Sequence, residues 1–230
     1  LQQLSGILLL SGPTGSGKTT TLYKTLHSLT TPHVNICTIE DPIEMLVPAF
    51  NQMQVNQKIA VGFAAGVRAL MRQDPDIIMI GEIRDPETAA MAIQAALTGH
   101  LVLSTIHTDD SCSVISRLLD LKVDAYLIRA TLIAVMAQRL VKLLCPQCKK
   151  SELTSGDYFS VNQASAVGCK ICRDTGYLGR QGIYEILHCD EALKQFIEKP
   201  FDPARLKRQA VENGMRTLSD AGRTAVTLGL

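Results

Sequence analysis

Residues 12–19, GPTGSGKT, combine three glycines with a lysine and a threonine in the pattern G-x-x-x-x-G-K-[ST]. They lie between an apolar run and a stretch with helical periodicity, the context in which such a loop binds phosphate groups. The glycines let backbone N–H groups turn toward phosphate oxygens, and the following helix adds its positive end. Lys18 is expected to reach the β- and γ-phosphates, and Thr19 to place its hydroxyl on Mg²⁺. We therefore predict an ATP site, rather than a chance glycine-rich turn, formed by Gly12, Pro13, Thr14, Gly15, Ser16, Gly17, Lys18, Thr19 and Thr20.

Residues 77–85, IIMIGEIRD, begin like the active-site strand of a nucleotide-hydrolysing domain and then depart from it. Such a strand commonly ends in an aspartate that helps to hold Mg²⁺. Gly81 occupies that place here, and Glu82 follows it alone. Two points are therefore open at this stage: which groups hold the metal, and what Glu82 does. Asp85 is expected to cap a helix that has Pro86 at its first position.

Four cysteines form two pairs, Cys145 with Cys148 and Cys169 with Cys172, separated by twenty residues. This spacing is typical of a tetrahedral Zn²⁺ site, in which each pair holds one side of the metal. Four thiolates leave no open coordination position, so the predicted zinc is structural rather than catalytic. The alternative is four unrelated thiols, which the double pairing disfavours. The other three cysteines are expected to be small core or surface residues, namely Cys37, Cys112 and Cys189.

The elements that position these motifs are short apolar runs alternating with helical stretches. The expected strands are Ile7–Leu10, Val34–Ile39, Ile77–Ile80 and Leu101–Ser104, with a weaker one at Phe50–Val55. The expected helices are Lys18–Leu29, Gly62–Met71 and Pro86–Leu97. Continuous apolar strands separated by helices favour a parallel sheet that is covered on both faces. Beyond the cysteines, we expect one strand at Gly182–Leu187 and helices at Pro203–Asn213 and Leu218–Leu228.

Composition limits the classes of function. With 46% hydrophobic and 20% charged residues, the 230-residue chain has the make-up of a soluble globular protein, and it has no apolar run as long as a membrane span. A net charge of +1 gives no basic field for nucleic acid. Seven cysteines, four of them paired for a metal, favour a reducing compartment, so the cytoplasm is the expected location. Because the chain starts at Leu1, we expect it to be part of a longer protein whose N-terminal domains are absent.

Three more stretches complete a pattern: TIEDPIE (residues 38–44), GEIRDPETA (residues 81–89) and TGHLVLSTIHT (residues 98–108). With GPTGSGKT and the four cysteines, they resemble the ATPases that drive bacterial type II secretion and type IV pilus assembly. The resemblance covers essentially the whole chain. It implies a RecA-like P-loop NTPase core, and the zinc knuckle points to the secretion and pilus-assembly branch rather than to the pilus-retraction branch.

The resemblance answers the question raised by Gly81 and Glu82. Family members also have glycine at the strand end, and their glutamate is assigned to catalysis. A carboxylate one residue beyond the strand can polarise water for in-line attack on the γ-phosphate, so we predict Glu82 as the general base. Mg²⁺ would then rest on Thr19, phosphates and waters. Those waters are expected to be held by acids that end the strand predicted to neighbour the phosphate loop, unless the acids only cap a turn at Pro42: Glu40, Asp41 and Glu44.

Histidine and arginine residues complete the predicted site. His107 follows the strand Leu101–Ser104 at its carboxyl end, where α/β sheets bind ligands, and is predicted to contact the γ-phosphate or relay its loss. His100, at the other end, is expected to be structural. Four arginines have family counterparts implicated in nucleotide handling and subunit contacts, and a surface salt bridge remains the alternative for each: Arg68, Arg72, Arg84 and Arg117.

The resemblance also implies an assembly. We expect an ATPase core (1–144), a zinc knuckle (145–172) and a mainly helical C-terminal subdomain (173–230). The full-length protein is expected to form a homo-hexamer on the cytoplasmic face of the bacterial inner membrane, and to act with an inner-membrane platform protein and its cytoplasmic adaptor. Two rival functions were a P-loop small-molecule kinase, for which no lid or acceptor pocket is visible, and a zinc-ribbon nucleic-acid-binding protein. The near-neutral charge and the 4% aromatic content disfavour the second, so no specific nucleic acid is expected.

Overall fold

The computed structural model describes residues 5–156 and 159–229, and describes side chains in those ranges outside 151–163. The strands are Gly6–Ser11 (β1), Ile36–Glu40 (β2), Asn51–Gln54 (β3), Ile77–Ile80 (β4), Leu101–Ile106 (β5), Leu132–Leu144 (β6), Lys150–Gly156 (β7), Phe159–Ser165 (β8) and Tyr177–His188 (β9). The α-helices are Lys18–Leu29 (α1), Phe63–Leu70 (α2), Pro86–Leu97 (α3), Ser113–Asp120 (α4), Ala125–Thr131 (α5), Glu191–Lys194 (α6), Pro203–Glu212 (α7) and Leu218–Thr227 (α8).

Seven strands form one sheet in the order β3-β2-β4-β5-β1-β6-β9. All neighbours pair in parallel except β9, which runs antiparallel to β6. Strands β7 and β8 form a separate antiparallel hairpin. The parallel α/β sheet predicted from the sequence is therefore confirmed. The prediction that β2 neighbours the phosphate-loop strand is wrong, because β4 and β5 lie between β2 and β1.

The two faces of the sheet carry two hydrophobic cores. In β4, Ile78 and Ile80 belong to the core under α2 to α5, whereas Ile77 and Met79 belong to the core under α1. This alternation follows from the period of two in a strand. Every residue of β2, β4 and β5 is buried, as expected for strands covered by helices on both sides. The sheet is consequently a rigid base for the loops at its carboxyl edge.

Strand β6 was not expected from the sequence. Its 13 residues follow α5 without a loop, because α5 ends at Thr131 and β6 begins at Leu132. Pairing with β1 on one side and β9 on the other stabilises the extended backbone, so tertiary contacts outweigh local pattern. Through β6 the sheet leads directly to Cys145.

The predicted helix starts are confirmed where an aspartate caps the first turn. The Asp85 side chain accepts a hydrogen bond from the Thr88 N–H at the start of α3. The Asp202 side chain accepts from the N–H groups of Ala204 and Arg205 at the start of α7. Among the described residues, no helix is both long and apolar enough to cross a membrane. The boundaries at 144/145 and 172/173 remain predictions, and β9 places residues 177–188 in the same sheet as the core.

Candidate nucleotide-binding site

The carboxyl ends of β1, β2, β4 and β5 open into a cleft of about 600 Å³. Parallel α/β sheets bind ligands at this edge. The cleft brings together most of the predicted site residues, namely Thr14, Gly15, Gly17, Lys18, Thr19, Thr20, Glu40, Asp41, Glu44, Glu82, Arg84 and His107. Gly12, Pro13 and Ser16 complete the same loop behind this lining. Leu140 and Arg180, from β6 and β9, also line the cleft, and sequence reasoning missed both.

The phosphate loop requires glycine at defined positions. Gly15 and Gly17 have φ angles of 78° and 86°, in the left-handed region that glycine adopts without strain. A Cβ atom on Gly12 would lie 2.5 Å from the carbonyl oxygen of Gln138, and one on Gly17 would lie 2.8 Å from Gln138 Nε2. Side chains at these two positions would therefore push the loop away from β6. The sequence motif and the local geometry agree.

Lys18 lies folded over the loop that it follows. Its Nζ donates to the carbonyl oxygens of Gly12, at 2.8 Å, and Pro13, at 3.0 Å. Burial lowers the pKa of Lys18, the charge of Glu82 acts in the opposite direction, and the charge of Arg139 lowers the pKa further. A cation in this position is suited to pair with an anionic ligand, because phosphate oxygens would offset its desolvation.

The Ser16 hydroxyl supports the same interpretation. Ser16 Oγ is buried and makes no hydrogen bond within the described residues. Unpaired buried hydroxyls are costly, and they occur where a ligand or ordered water can satisfy them. Its place in the glycine-rich loop suits a phosphate oxygen as the acceptor.

Gln138 holds the phosphate loop against the sheet, and no motif in the sequence pointed to this contact. It lies on β6 and is only 2% exposed. Its Nε2 donates to the Ser16 carbonyl oxygen at 2.7 Å, and its Oε1 accepts from the Thr21 hydroxyl at 2.9 Å. One side chain therefore fixes both the loop and the first turn of α1. Only if β6 had been recognised as a strand would Gln138 have been noticed, as a polar residue within its apolar half.

Glu82 is fixed beside the cleft by its neighbours. The Ile83 N–H donates to the Thr105 carbonyl oxygen at 2.9 Å, and the Thr105 hydroxyl donates to the Gly81 carbonyl oxygen at 2.8 Å. The carboxylate oxygen Oε2 lies 2.6 Å from Arg84 Nε and 3.4 Å from His107 Nε2. Both contacts are made to Oε2, which leaves Oε1 as the oxygen that faces no cationic side chain among the described residues.

Gly81 has a steric reason to be glycine. A Cβ atom there would lie 3.3 Å from Phe63 Cε1, 3.4 Å from the Ile39 carbonyl oxygen and 3.5 Å from Glu40 Cα. A side chain at this strand end would require the ring of Phe63 to shift by a few tenths of an ångström. The metal-binding aspartate of other P-loop enzymes would therefore be crowded at this position.

The three acids of the TIEDPIE stretch occupy different environments. Glu40 is 3% exposed, and its carboxylate accepts from Tyr23 Oη at 2.6 Å and Thr38 Oγ1 at 2.7 Å. Burial and the Glu40 carboxylate raise the pKa of Tyr23, so this phenol stays protonated. Asp41 and Glu44 are exposed on the cleft wall, where carboxylates can hold the waters of a hydrated cation. Although β2 lies away from β1, the Tyr23 hydrogen bond joins the end of β2 to α1, the helix that follows the phosphate loop.

The predicted arginines separate into two groups. Arg84 lines the cleft, and Arg117 Nη2 donates to the Arg84 carbonyl oxygen at 3.3 Å. Arg68 lies on α2 outside the cleft, 3.7 Å from Glu87 in a surface ion pair. Arg72 is exposed just beyond α2 and also lies outside the cleft. Their predicted roles at a subunit interface remain predictions.

The four paired cysteines converge on one point. Their sulfur atoms all lie within 4.8 Å of one another. The Sγ···Sγ distance is 3.9 Å for Cys145 and Cys169, 3.8 Å for Cys148 and Cys172, and 3.7 Å for Cys169 and Cys172. A tetrahedron with Zn–S bonds of about 2.3 Å has edges of about 3.8 Å. The four sulfurs, from both predicted pairs, therefore fit a tetrahedral metal.

Backbone N–H groups point at these sulfurs. Gly168 N lies 3.3 Å from Cys148 Sγ, and the N–H groups of Cys169 and Gly176 lie 3.1 and 3.2 Å from Cys172 Sγ. Burial acts to raise the pKa of Cys172, but the N–H groups of Cys169 and Gly176, with the neighbouring thiols of Cys169 and Cys148, lower it to about 6. Hydrogen bonds of this kind stabilise a thiolate, which is the form that binds a metal. The remaining cysteines are buried, which selects the core over the surface among the two expected environments: Cys37, Cys112 and Cys189.

Known proteins resemble the chain over its whole length. The family model described as Type II/IV secretion system protein matches residues 1–230. The type IV pilus assembly ATPase TfpB of Acinetobacter baylyi is 55% identical over 236 residues, which cover 98% of this chain and 40% of TfpB. The type II secretion system protein HxcR of Pseudomonas aeruginosa is 45% identical over 229 residues, which cover 100% of this chain and 47% of HxcR.

A solved structure gives the same result. The ATPase DotB of Legionella pneumophila matches with a TM-score of 0.71 and 25% identity, covering 99% of this chain and 57% of DotB. This likeness confirms the RecA-like core that the sequence resemblance implied. The chain spans about half or less of the length of the two curated relatives. From its sequence and its fold, the chain belongs to the Type II/IV secretion system protein family.

Proposed function

We propose that this chain is the ATP-hydrolysing motor core of a machine that assembles a pilus or a secretion pseudopilus. The observation that carries the proposal is that Lys18, from the phosphate loop, and Glu82, which follows β4, line one cleft. The names of TfpB and HxcR support the biological setting. A binding module without catalysis would not need an acid beside the cation that holds the phosphates.

The loop residues would bind the phosphates of ATP through backbone N–H groups, Lys18 and the Ser16 hydroxyl. Mg²⁺, held by the Thr19 hydroxyl and by waters at Asp41 and Glu44, would supply charge neutralisation between the β- and γ-phosphates. These three side chains line the same cleft. These side chains fit Mg²⁺ because all three offer oxygen atoms, the ligands that this ion prefers.

Hydrolysis would use Glu82 as the base. Its Oε1 takes a proton from a water molecule while the water oxygen attacks the γ-phosphorus. The bond from the γ-phosphorus to the bridging oxygen breaks, and ADP leaves with that oxygen. His107 and Arg84, which contact Oε2, would orient the carboxylate, and His107 would contact the γ-phosphate or relay its loss.

We also propose that the four-cysteine cluster holds one structural Zn²⁺. The tetrahedral spacing of the sulfurs and the N–H groups aimed at two of them support it. A metal with four thiolate ligands has no position for water or substrate, so its contribution would be to fold the knuckle.

The assembly predicted from the resemblance stays part of the proposal. The protein would form a homo-hexamer at the cytoplasmic face of the inner membrane, with a platform protein and its adaptor as partners. Arg68 and Arg72 are exposed outside the cleft, which suits contact with a neighbouring subunit. An arginine acting in trans on phosphoryl transfer is worth about 10³-fold or more in rate.

The test of the proposed activity is phosphate release from Mg·ATP, measured beside nucleotide affinity. Lys18→Ala should weaken ATP binding and abolish turnover, because no other lysine lines the cleft in the described part of the chain. Lys24→Ala is the matched control, since Lys24 is exposed on the same helix. Unchanged affinity in Lys18→Ala, or no phosphate release by the unsubstituted protein, would contradict the proposal.

A further inference from the structure

The loop from His107 to Cys112 joins the nucleotide site to the C-terminal part of the chain, and we call it the histidine loop. At its first residue, His107 Nε2 lies 3.4 Å from Glu82 Oε2. At its other end, Ser111 is fully buried against β9. The loop leaves the cleft within five residues, so a shift of His107 must be absorbed in the loop or passed on.

Glu185 of β9 holds the far end of this loop. The side chain is buried, with 1% exposure, and it is not part of the cleft lining. Its Oε1 accepts from the Ser111 N–H at 2.9 Å and from the Ser111 hydroxyl at 2.6 Å. Its Oε2 accepts from the Leu218 N–H, the first residue of α8, at 3.1 Å. One buried carboxylate therefore joins the histidine loop to the N-terminus of α8.

Two ion pairs reinforce this connection. Lys207 of α7 donates to Asp110 Oδ2 at 2.8 Å, and Arg139 of β6 lies 3.2 Å from Asp109 Oδ1. Burial acts to raise the pKa of Asp110, but the hydrogen bonds from Lys207 and Ser113 lower it, and the bond to Asp110 raises the pKa of Lys207. Three consecutive loop residues are therefore held by three elements, two of which belong to the C-terminal part of the chain.

We propose that Glu185 is a positioning residue that fixes the histidine loop to the C-terminal helices, and that this connection transmits the nucleotide state from His107 to α7 and α8. The inference rests on the proposed ATPase function. The carboxylate suits the task because both oxygens are occupied by donors on different elements, so neither element moves without the other. A motor requires such a path from phosphate chemistry to a surface that does work.

Glu185→Gln is the most specific test, because it keeps the size of the side chain. A glutamine has one acceptor oxygen, so its NH₂ group must face a donor at either Ser111 or Leu218. The connection is broken at one side while the fold around it is retained. Misplacement of a catalytic group by about 1 Å can cost ~10²-fold in rate, so kcat should fall ~10- to 100-fold with little change in the affinity for Mg·ATP.

The second readout is hydrogen exchange of residues 202–229 with and without the non-hydrolysable probe Mg·AMPPNP. In the unsubstituted protein, the probe should change exchange in α7 and α8, and Glu185→Gln should lose that response. Glu212→Gln is the matched control, because Glu212 is exposed on α7, and it should keep both rate and response. If Glu185 had a purely structural role, Glu185→Gln would lower the stability of the protein, and kcat would not fall while the affinity for Mg·ATP stayed constant.

Outcomes that overturn the inference are equally specific. If Glu185→Gln retains the unsubstituted kcat, or the α8 response to the probe, Glu185 is not a positioning residue. Should this variant fail to fold, Lys207→Met, which removes the partly exposed partner of Asp110, decides in its place: loss of the response supports the connection, and full retention refutes it. No hydrolysis by the unsubstituted protein would instead contradict the proposed function.

Discussion

Gln138→Leu removes the contacts that hold the phosphate loop while it keeps the volume of the buried side chain. The substitution deletes the bonds to the Ser16 carbonyl oxygen and to the Thr21 hydroxyl. Each bond is worth about 1 kcal/mol, and a buried carbonyl left unpaired adds about 1–3 kcal/mol. The total cost is about 3–5 kcal/mol, divided between folding and nucleotide binding.

The share that falls on binding can be estimated. The loop must regain its position to bind phosphate, so we expect about 2–3 kcal/mol to be lost from affinity, which is a rise of ~30- to 150-fold in Kd. Thr21→Val, which removes one of the two bonds, should raise Kd by ~10-fold or less. The effects of the two substitutions should not be additive, because both remove the hydrogen bond between Gln138 and Thr21.

Isothermal titration with Mg·ADP measures Kd, and urea unfolding of the same samples measures stability. Gln209→Leu is the matched control, because Gln209 lies on α7 and bonds only to Asn213 on the surface. It should bind Mg·ADP normally. If Gln138→Leu binds Mg·ADP as tightly as the unsubstituted protein, the phosphate loop is ordered without β6 and the reasoning is refuted.

Three further predictions concern other parts of the molecule. Metal analysis under reducing conditions should find one Zn²⁺ per chain, and well under one equivalent would count against the site. Cys148→Ser should lose the metal and loosen residues 145–172, while its affinity for Mg·ADP is retained. Gly81→Asp should lower the melting temperature, because its side chain meets the Phe63 ring, and an unchanged melting temperature would refute the steric argument. Tyr23→Phe should destabilise the protein by about 1–3 kcal/mol in urea unfolding, because the buried Glu40 carboxylate loses its 2.6 Å donor. An effect below ~0.5 kcal/mol would show that the remaining donors, Thr38 and Gln52, suffice.

Local patterns allowed the parts of the site that depend on neighbours in sequence to be predicted. The GPTGSGKT loop, the cap at Asp85 and each cysteine pair are short local patterns, and each lies where the pattern indicated. The strand-end position of Glu82 followed from an apolar run of four residues. In these cases the backbone conformation is set by glycine, proline or a capping side chain, whose effects are local.

Long-range pairing explains what the sequence did not reveal. Strand β6 begins inside an apolar stretch that continues a helix, and only its pairing with β1 and β9 selects the extended form. The roles of Gln138 and Glu185 depend on that strand and its partner, so neither could be assigned. The order of β2 relative to β1 was also mistaken, because strand order depends on crossovers that no local pattern records.

The measurement that tests the central claim most directly is the kcat of Glu82→Gln beside its affinity for Mg·ATP. The amide keeps the size and the hydrogen bonds of an acceptor oxygen but cannot take a proton from water. We predict that kcat falls by ~10²-fold or more while the Kd for Mg·ATP stays within about threefold, with Glu198→Gln, an exposed glutamate elsewhere, unchanged in both. Turnover of Glu82→Gln near the unsubstituted rate would contradict the assignment of Glu82 as the base.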